Sequence, residues 1–234
     1  MSRPTLYVAV TGTNTDVGKT YVASQLLSFL KREGLEVSAR KPAQSYDPDE
    51  ICRLDSEVLA AATGENSKEI CSPDYTYPLA LTPFMAKREL TGTELYMSEL
   101  SGIVFQPNID IGILEGAGGI LSPICTDGDF IDLMEIQKID LILCVADSTL
   151  GSLNSILTNY FGFRYQAEQR NYPHLINVEF VIYLNRFDDN SGVDMLNFEW
   201  LKENLNLPIY NEINELGDYV KTIWKMRNDR SAQT

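Results

Sequence analysis

The sequence has a single histidine, His174, and few basic residues. One histidine leaves no basis for a histidine-based metal site or for a Ser–His–Asp triad. Lys and Arg number 19 against 33 Asp and Glu, so the formal net charge is −14. Nucleic-acid-binding proteins ordinarily carry a basic face, and this charge balance argues against that class. Any anionic ligand must therefore be held by local positive groups, for which Lys19 and Lys41 are candidates.

Cysteines are few, and long apolar runs are missing. Cys52, Cys71, Cys125 and Cys144 are widely spaced and form no paired motif, which is typical of reduced thiols in a cytosolic protein. No stretch is long and apolar enough to span a membrane, and the N-terminus leads into a predicted strand without a signal-peptide pattern. We therefore expect a cytoplasmic protein with no membrane partner.

A phosphate-binding loop is the strongest motif that the sequence does contain. Residues 12–20, Gly-Thr-Asn-Thr-Asp-Val-Gly-Lys-Thr, follow an apolar run and lead into a helical pattern. Backbone N–H groups and the start of the helix offer positive charge to phosphate oxygens, Lys19 adds a full charge, and the Thr20 hydroxyl can reach a magnesium ion. Five residues separate Gly12 from Gly18, one more than usual, which indicates a subset of P-loop proteins.

Strands and helices alternate along the whole chain, which predicts a mainly parallel sheet with helices on both faces. We expect a single α/β P-loop NTPase domain over residues 1–234, with a disordered tail at 228–234. The predicted strands are residues 6–10, 36–40, 109–114, 141–146, 180–184 and 207–210. The predicted helices are residues 19–32, 51–63, 84–89, 93–105, 130–137, 153–168, 194–205 and 216–226.

Two acidic residues are candidates for a magnesium site together with Thr20. Glu115 follows a predicted buried strand, and the small residues 116–119 after it allow a close backbone approach to a ligand. Asp55 lies near the start of a predicted helix, where an Asp often serves only to compensate the helix dipole. Magnesium prefers hard oxygen donors, and these three side chains would supply them.

Three further polar residues follow predicted strands. Ligands of open α/β sheets bind beyond the carboxyl ends of the strands, and Lys41, Ser45 and Asn185 would meet at that edge. A second lysine there can neutralise charge that develops during phosphoryl transfer, although a lysine before a proline is usually a solvated rim residue. Ser45 either hydrogen-bonds a substrate or only caps a turn.

Four ordered segments of the chain resemble dethiobiotin synthetases, and the resemblance runs from the first strand to about residue 215. Asp55 and Asn185 also stand at matching intervals. The segments are residues 12–20 with their five-residue spacing, 41–45 (Lys-Pro-Ala-Gln-Ser), 115–119 (Glu-Gly-Ala-Gly-Gly) and 150–154 (Leu-Gly-Ser-Leu-Asn).

The resemblance implies a homodimeric ligase that uses ATP and magnesium to close the ureido ring of dethiobiotin from 7,8-diaminopelargonic acid and CO2. Its implied catalytic residues are Lys19 and Lys41, and its implied magnesium ligands are Thr20, Asp55 and Glu115. The implied ATP contacts are Asp16, Val17, Gly18, Lys19, Thr20, Tyr21, Asp55, Glu115, Gly116, Ala117, Gly118 and Asn185. The implied substrate contacts are Thr13, Lys41, Ser45, Gly151, Ser152, Leu153 and Asn154, the last four from across the dimer interface.

Some positions depart from the family pattern. Tyr46 stands where Gly is frequent, Phe84 ends a Thr-Pro-Phe segment where Ser-Pro-His is usual, and Ser155 replaces a common His; residues 208–214 follow the family only loosely. One alternative is therefore a synthetase-like ATPase with a different substrate. Another is a nucleotide-switch ATPase of the partition type, but the lysine that such proteins carry early in the phosphate loop is missing here.

Overall fold

The structure is a computed structural model that describes residues 5–50 and 53–231. Its strands in chain order are β1 (Leu6–Gly12), β2 (Val37–Arg40), β3 (Gln44–Ser45), β4 (Thr76–Tyr77), β5 (Ile111–Glu115), β6 (Pro123–Cys125), β7 (Gly128–Asp129), β8 (Leu141–Asp147), β9 (Glu179–Asn185) and β10 (Ile209–Tyr210). Six of them form one sheet in the order β10-β9-β8-β1-β5-β2, and every pairing in it is parallel. Two short pairs, β3-β4 and β6-β7, lie outside this sheet.

Helices cover both faces of the central sheet. They are α1 (Lys19–Arg32), α2 (Asp55–Thr63), α3 (Ser67–Ile70), α4 (Pro83–Thr91), α5 (Met97–Leu100), α6 (Phe130–Gln137), α7 (Ser152–Gln169), α8 (Gly192–Asn204) and α9 (Ile213–Ser231), with a 3-10 turn at Pro73–Tyr75. The apolar side chains of α1, α2 and α9 pack in one core, and those of α6, α7 and α8 pack in the other.

The central strand β1 shows why the sheet is buried on both sides. Its side chains alternate between the two cores: Leu6, Val8 and Val10 join the α1 side, while Tyr7 and Ala9 join the α6 side. A strand with apolar residues in every position fits only between two layers of helices. Because all six strands are parallel, their carboxyl ends share one edge, where the loops after β1, β2, β5, β8 and β9 meet.

The predicted α/β P-loop fold with a mainly parallel sheet is confirmed. All six predicted strands exist, and the helices predicted over residues 19–32 and 130–137 have those bounds. The helix predicted from residue 51 begins at Asp55, and Ile51 and Cys52 lie outside the described residues. Among the residues that the structure describes, no helix combines the length and apolarity needed to cross a membrane.

The helix predicted over residues 93–105 is wrong, because only Met97–Leu100 are helical. Tertiary contacts satisfy this backbone instead: the Thr126 N–H donates to the Leu95 carbonyl at 2.7 Å, and the Met97 N–H donates to Asp127 Oδ1 at 2.7 Å. Leu95, Met97, Leu100 and Phe105 are still buried, but they lie on a segment held by its neighbours.

The tail predicted to be disordered needs a correction as well. Residues 228–231 continue α9, and residues 232–234 lie outside the described part of the chain. Arg227 anchors this end of the helix, since its guanidinium reaches the Thr5 carbonyl at 3.4 Å and Asp140 Oδ1 at 2.7 Å. This anchor joins positions more than 200 residues apart in sequence, so polar composition alone did not reveal it.

Candidate active site

The phosphate loop takes its shape from Gly18. This residue caps the N-terminus of α1 with a φ of 92°, a conformation that favours glycine. A Cβ atom at Gly18 would lie 2.1 Å from Asn185 Nδ2, so the position has no room for a side chain. Lys19 bends back over the loop, and its Nζ donates to the Asn14 carbonyl at 3.1 Å. Burial, reinforced by the charge of Lys41, lowers the pKa of Lys19.

Two residues at and just after the end of β9, far from the phosphate loop in sequence, bind the carbonyls of this loop. Asn185, the last residue of β9, donates from Nδ2 to the Val17 carbonyl at 2.9 Å. Arg186, with a φ of 59°, donates from its guanidinium to the Asp16 carbonyl at 2.9 Å. Both carbonyls therefore point outward, which leaves the N–H side of the loop facing the space above α1.

Thr20, Asp55 and Glu115 come together at the start of α1. The Thr20 hydroxyl oxygen lies 2.8 Å from Asp55 Oδ1 and 2.7 Å from Glu115 Oε1. A hydroxyl has one proton, so it donates to one of these carboxylates at a time. Glu115 is fully buried, and its Oε2 has no hydrogen-bond partner within the described parts of the chain. The oxygens of these three side chains therefore need a cation or further hydrogen-bond donors from elsewhere in the site.

Lys41 compensates that group. Its side chain is 3% exposed, and Nζ lies 2.7 Å from Asp55 Oδ2, 2.6 Å from Glu115 Oε1 and 3.2 Å from the Gly116 carbonyl. Burial alone would lower the pKa of Lys41, but the charges of Glu115 and Asp55 outweigh it and raise the pKa above its ordinary value. Lys41 is thus a protonated cation at neutral pH.

The two carboxylates respond differently to their surroundings. Burial would raise the pKa of Asp55, but the charge and hydrogen bond of Lys41 outweigh it and hold the pKa below its usual range. Complete burial raises the pKa of Glu115. The oxygens of Thr20, Asp55 and Glu115 fit the hard-donor preference of magnesium, and the orphaned Glu115 Oε2 is the kind of atom that a cation would satisfy.

The glycine-rich segment after β5 packs directly against the phosphate loop. A Cβ atom at Gly119 would lie 3.3 Å from the Gly12 carbonyl, and one at Gly116 would lie 2.7 Å from the Phe130 ring. Gly118 adopts a φ of 74°. A side chain at Gly116 would collide with the Phe130 ring, and Gly119 faces the backbone of the phosphate loop. The turn carries Ala117 and Gly118 to the rim of the adjoining cleft.

A cleft of about 560 Å³ opens beside these groups. Ser45, at one wall, donates its hydroxyl proton to the Leu81 carbonyl at 2.5 Å, and the β3-β4 pair joins the same two segments. Tyr46 also lines the cleft, whereas Phe84 packs against the core. The lining residues are Thr15, Asp16, Gln44, Ser45, Tyr46, Asp47, Glu50, Arg53, Leu54, Asp55, Ala80, Leu81, Thr82, Pro83, Ala117 and Gly118.

The structure does not bring every predicted site residue to this cleft. Gly151, Ser152, Leu153 and Asn154 form the start of α7 and do not line it, and Ser155 bonds back to the Gly151 carbonyl at 3.4 Å. The Tyr21 side chain, in the first turn of α1, is 59% exposed. The Thr13 carbonyl accepts a hydrogen bond from Asn159 Nδ2 at 3.4 Å.

Asn159 and Arg186 are contacts of the phosphate loop that the sequence analysis did not find. Arg186 follows Asn185 directly, and a polar residue after a strand end was a usable signal. Asn159 lies on the second turn of α7, far in sequence from the loop, and no motif marks it.

Comparisons with known proteins indicate the family of the chain. A family model described as an AAA domain matches residues 6–219. The ATP-dependent dethiobiotin synthetase of Caulobacter vibrioides is 37% identical over 156 residues, which cover 64% of this chain and 69% of that protein. The enzyme of the same name from Haloferax mediterranei is 29% identical over 205 residues, covering 86% of this chain and 81% of that protein.

Solved structures share the fold at low identity. A cobyrinic acid a,c-diamide synthase from Mycobacterium smegmatis, solved with ADP and magnesium, has a TM-score of 0.53 at 12% identity and covers 94% of this chain and 95% of its own. The signal recognition particle receptor FtsY from Elizabethkingia anophelis with GDP has a TM-score of 0.50 at 14% identity, and this chain spans 60% of its length. The matches to curated enzymes, extended over most of the sequence, make the chain a P-loop enzyme that uses ATP. It belongs to the dethiobiotin synthetase family of ligases.

Proposed function

We propose that this chain closes the ureido ring of dethiobiotin from 7,8-diaminopelargonic acid and CO2, with hydrolysis of ATP to ADP and phosphate. One amine captures CO2 as a carbamate, the carbamate oxygen takes the γ-phosphoryl group, and the second amine attacks the carbonyl carbon and releases phosphate. The observation that carries the proposal is the group formed by Lys41, Thr20, Asp55 and Glu115, of which Asp55 lines the cleft.

Lys19 and Lys41 have different roles in phosphoryl transfer. Lys19, which arches over the phosphate loop, holds the β- and γ-phosphates together with the loop N–H groups. Lys41 is buried directly behind Asp55, which lines the cleft, and from there its charge stabilises the carbamate and the transferring phosphoryl group. Since Lys41 stays protonated, it acts through its charge and hydrogen bonds and not as a base.

Magnesium is part of the proposal. Thr20, Asp55 and Glu115 would hold it, and when bound it neutralises phosphate charge and orients the γ-phosphoryl group. In the structure, Asp55 and Glu115 share the ammonium group of Lys41. Their oxygens therefore already lie at hydrogen-bond distance from a cation.

Substrate contacts follow from the hydrogen-bond state of the cleft. The Ser45 proton is committed to the Leu81 carbonyl, so its oxygen has lone pairs to accept an N–H from a substrate amine. A diamine offers such donors. Thr13 completes the phosphate-loop side of the substrate site.

Asn185 is the proposed contact of the nucleotide base. Its Oδ1 is available to accept a hydrogen bond from the exocyclic amino group of adenine, because Nδ2 is engaged with the Val17 carbonyl. Asp16, Val17, Tyr21 and residues 116–118 complete the ATP contacts.

A homodimer accounts for the predicted residues that lie outside the cleft. Gly151, Ser152, Leu153 and Asn154 would bind the substrate carboxylate in the partner's cleft, where the N–H groups at the start of α7 favour an anion. Two exposed leucines are candidates for such an interface: Leu150, just before α7, is 91% exposed, and Leu196 on α8 is 67% exposed. The free thiols of Cys71, Cys125 and Cys144 support a cytoplasmic location.

Tyr46 favours one alternative, an enzyme of the same chemistry with a different diamine or amino acid. Its ring lines the cleft at a position where the family often has glycine. Phe84 and Ser155 give less support to this alternative, because Phe84 packs against the core and the Ser155 hydroxyl bonds back to the Gly151 carbonyl of its own helix.

A coupled ADP-release assay tests the proposal. ATP, magnesium, bicarbonate and diaminopelargonic acid together should give turnover, and omission of any one should remove it. Release of ADP that is independent of the diamine, or the absence of any heat in titrations with millimolar diamine while ATP still binds, would rule out the biotin assignment and leave the alternative substrate.

A further inference from the structure

A buried carboxylate that the mechanism does not use lies between the loop before α7 and the loop after β9. Asp194, in the first turn of α8, is 5% exposed. Its Oδ2 accepts a hydrogen bond from the Ser148 hydroxyl at 2.6 Å and from the Asp188 N–H at 3.1 Å, and its Oδ1 accepts from the Ser191 hydroxyl at 3.0 Å. Ser148 precedes α7, whereas Asp188 follows β9. One side chain therefore ties two separate loops.

A second residue of α8 supports the same connection. Asn197, one turn after Asp194, donates from Nδ2 to the Ser148 carbonyl at 2.9 Å and contacts the Ser152 hydroxyl at 3.3 Å. Helix α8 thus forms hydrogen bonds with both the backbone and the side chain of Ser148 in the segment between β8 and α7.

The other loop bound by Asp194 is the one that supports the phosphate loop. Asn185 and Arg186 donate to the Val17 and Asp16 carbonyls, and Asp188 follows them within the same turn. Hydrogen bonds joined by a short backbone segment, residues 186–188, therefore connect the phosphate loop through Asp194 to Ser148, four residues before α7.

We propose that Asp194 is a positioning residue that fixes the start of α7 relative to the nucleotide loop through its hydrogen bond with Ser148. The inference rests on the proposed function, in which residues 151–154 bind the substrate carboxylate. A site built from backbone N–H groups at a helix end depends on where that end lies, and a displacement of about 1 Å in a binding group can change rates or affinities by two orders of magnitude. Asp194 touches neither substrate nor nucleotide in this arrangement.

Ser148→Ala and Ser191→Ala form a matched pair for the test. Both remove a hydroxyl that donates to Asp194, but only Ser148 belongs to the loop before α7. Ser148→Ala should raise the KM for diaminopelargonic acid about tenfold, with kcat and the KM for ATP within about twofold of wild type. Ser191→Ala should leave all three near wild type. Equal KM values in the two variants, or a loss confined to kcat, would overturn the inference.

Amide hydrogen exchange keeps the inference testable apart from the substrate. Peptides that cover residues 147–155 should exchange about fivefold faster in Ser148→Ala than in wild type, and Ser191→Ala should not change them. If wild-type protein does not turn over diaminopelargonic acid, the proposed function has failed, and exchange alone decides the role of Asp194. Identical exchange of this segment in both variants would reject that role.

Discussion

Charge balance around the phosphate loop is decided by four side chains. Lys19 and Lys41 carry two positive charges, and Asp55 and Glu115 carry two negative charges when ionised, so the free site is formally neutral. Triphosphate brings several further negative charges into a protein of net charge −14. Buried charges interact strongly because little water screens them, so an additional cation is needed when nucleotide binds. This requirement is the electrostatic reason to expect magnesium at Thr20, Asp55 and Glu115.

The roles of the two lysines can be separated by substitution. Lys41→Gln should lower kcat by at least about 100-fold and leave the Kd for ATP within about threefold, because the lost charge acts on the transferring group. Lys19→Gln should lower kcat and also raise the Kd for ATP. Coupled ADP release gives kcat, and isothermal titration gives Kd.

Removal of Lys41 also leaves two carboxylates without their buried cation, which is expected to cost about 3–5 kcal/mol of stability. Circular dichroism must therefore show that Lys41→Gln is folded at the assay temperature. Lys87→Gln, which removes a partner of Glu99 away from the site, is the control. Wild-type kinetics for folded Lys41→Gln would contradict the role given to Lys41.

A second prediction at the residue scale concerns Gly18. Gly18→Ala places a Cβ where Asn185 Nδ2 now lies and adds the strain of a positive φ, which is about 1–2 kcal/mol for a residue with a side chain. ATP binding should be lost and the melting temperature should fall. Gly102→Ala is the matched control, since its Cβ would meet no atom within 4 Å. Unchanged ATP affinity in Gly18→Ala would show that the loop reaches its binding shape without this conformation.

At the scale of elements, α6 and α7 are joined by a charged network. Arg170, just past the end of α7, contacts Asp129 Oδ2 and Asp132 Oδ1 at 2.7 Å each, and the Tyr172 hydroxyl donates to Asp132 Oδ1 at 2.5 Å. Burial would raise the pKa of Asp132, but hydrogen bonds from Tyr172 and from the Asp129 N–H, with the charge of Arg170, outweigh it and lower the pKa.

The direction of that shift sets a pH dependence. An Asp whose pKa is lower in the folded state stabilises the fold above its unfolded value of about 3.9, and the contribution is lost as pH falls through the folded pKa. Arg170→Ala should lower the free energy of unfolding by about 1–3 kcal/mol at pH 7 and by less near pH 3. Urea unfolding at both pH values measures this. A deficit that is the same at both would show that Arg170 contributes by packing alone.

Elements with a strong local pattern could be predicted from the sequence, and those held by distant contacts could not. Residues 19–32 begin after a glycine with a positive φ and end before Gly34, so local signals mark both ends of α1. The segment after Gly92 has helical apolar spacing, yet Asp127 and Thr126 take its backbone groups. The β3-β4 pair has two residues per strand and leaves no periodicity to detect.

The same limit applies to the candidate site. Residues 41, 55 and 115 were expected to meet because each stands at a strand end or an adjoining helix start, and their side chains do lie together. Their ligand roles stay predictions. What the sequence could not indicate is how hydrogen bonds are shared: Ser45 gives its proton to Leu81, and Asn185 gives its amide to Val17, because both partners are carbonyls of irregular segments.

For the whole molecule, the proposed shared site predicts complementation. Lys41→Gln disables the cleft of its own subunit, and Asn154→Pro removes a backbone N–H from the carboxylate site that it lends to the partner. Mixed dimers regain one intact site of two, so an equal mixture should show about a quarter of wild-type activity while each variant alone is inactive. Dissociation and reassociation before the assay allow exchange. If the mixture stays inactive although subunit exchange is demonstrated by mass, the site lies within one subunit.

Leu196, an exposed apolar side chain on α8, allows a test of the proposed dimer. Leu196→Asp should convert a dimer to monomers in sedimentation experiments and abolish ligase turnover, while ATP still binds. Leu90→Asp on α4, also an exposed leucine, should change neither. A monomeric wild-type protein with full activity would contradict the proposed dimer.

The hydrogen bonds from Asn185 and Arg186 to the phosphate loop span 168 and 170 positions of the chain. A nascent chain that has left the ribosome only as far as β8 therefore contains the complete loop sequence without the two donors that orient its carbonyls. Contacts of such long range close late, after the intervening segments have been ordered. The ability to hold nucleotide should thus appear only after β9 has been synthesised and has joined the sheet, and translation products truncated before β9 should leave the cellular ATP pool untouched.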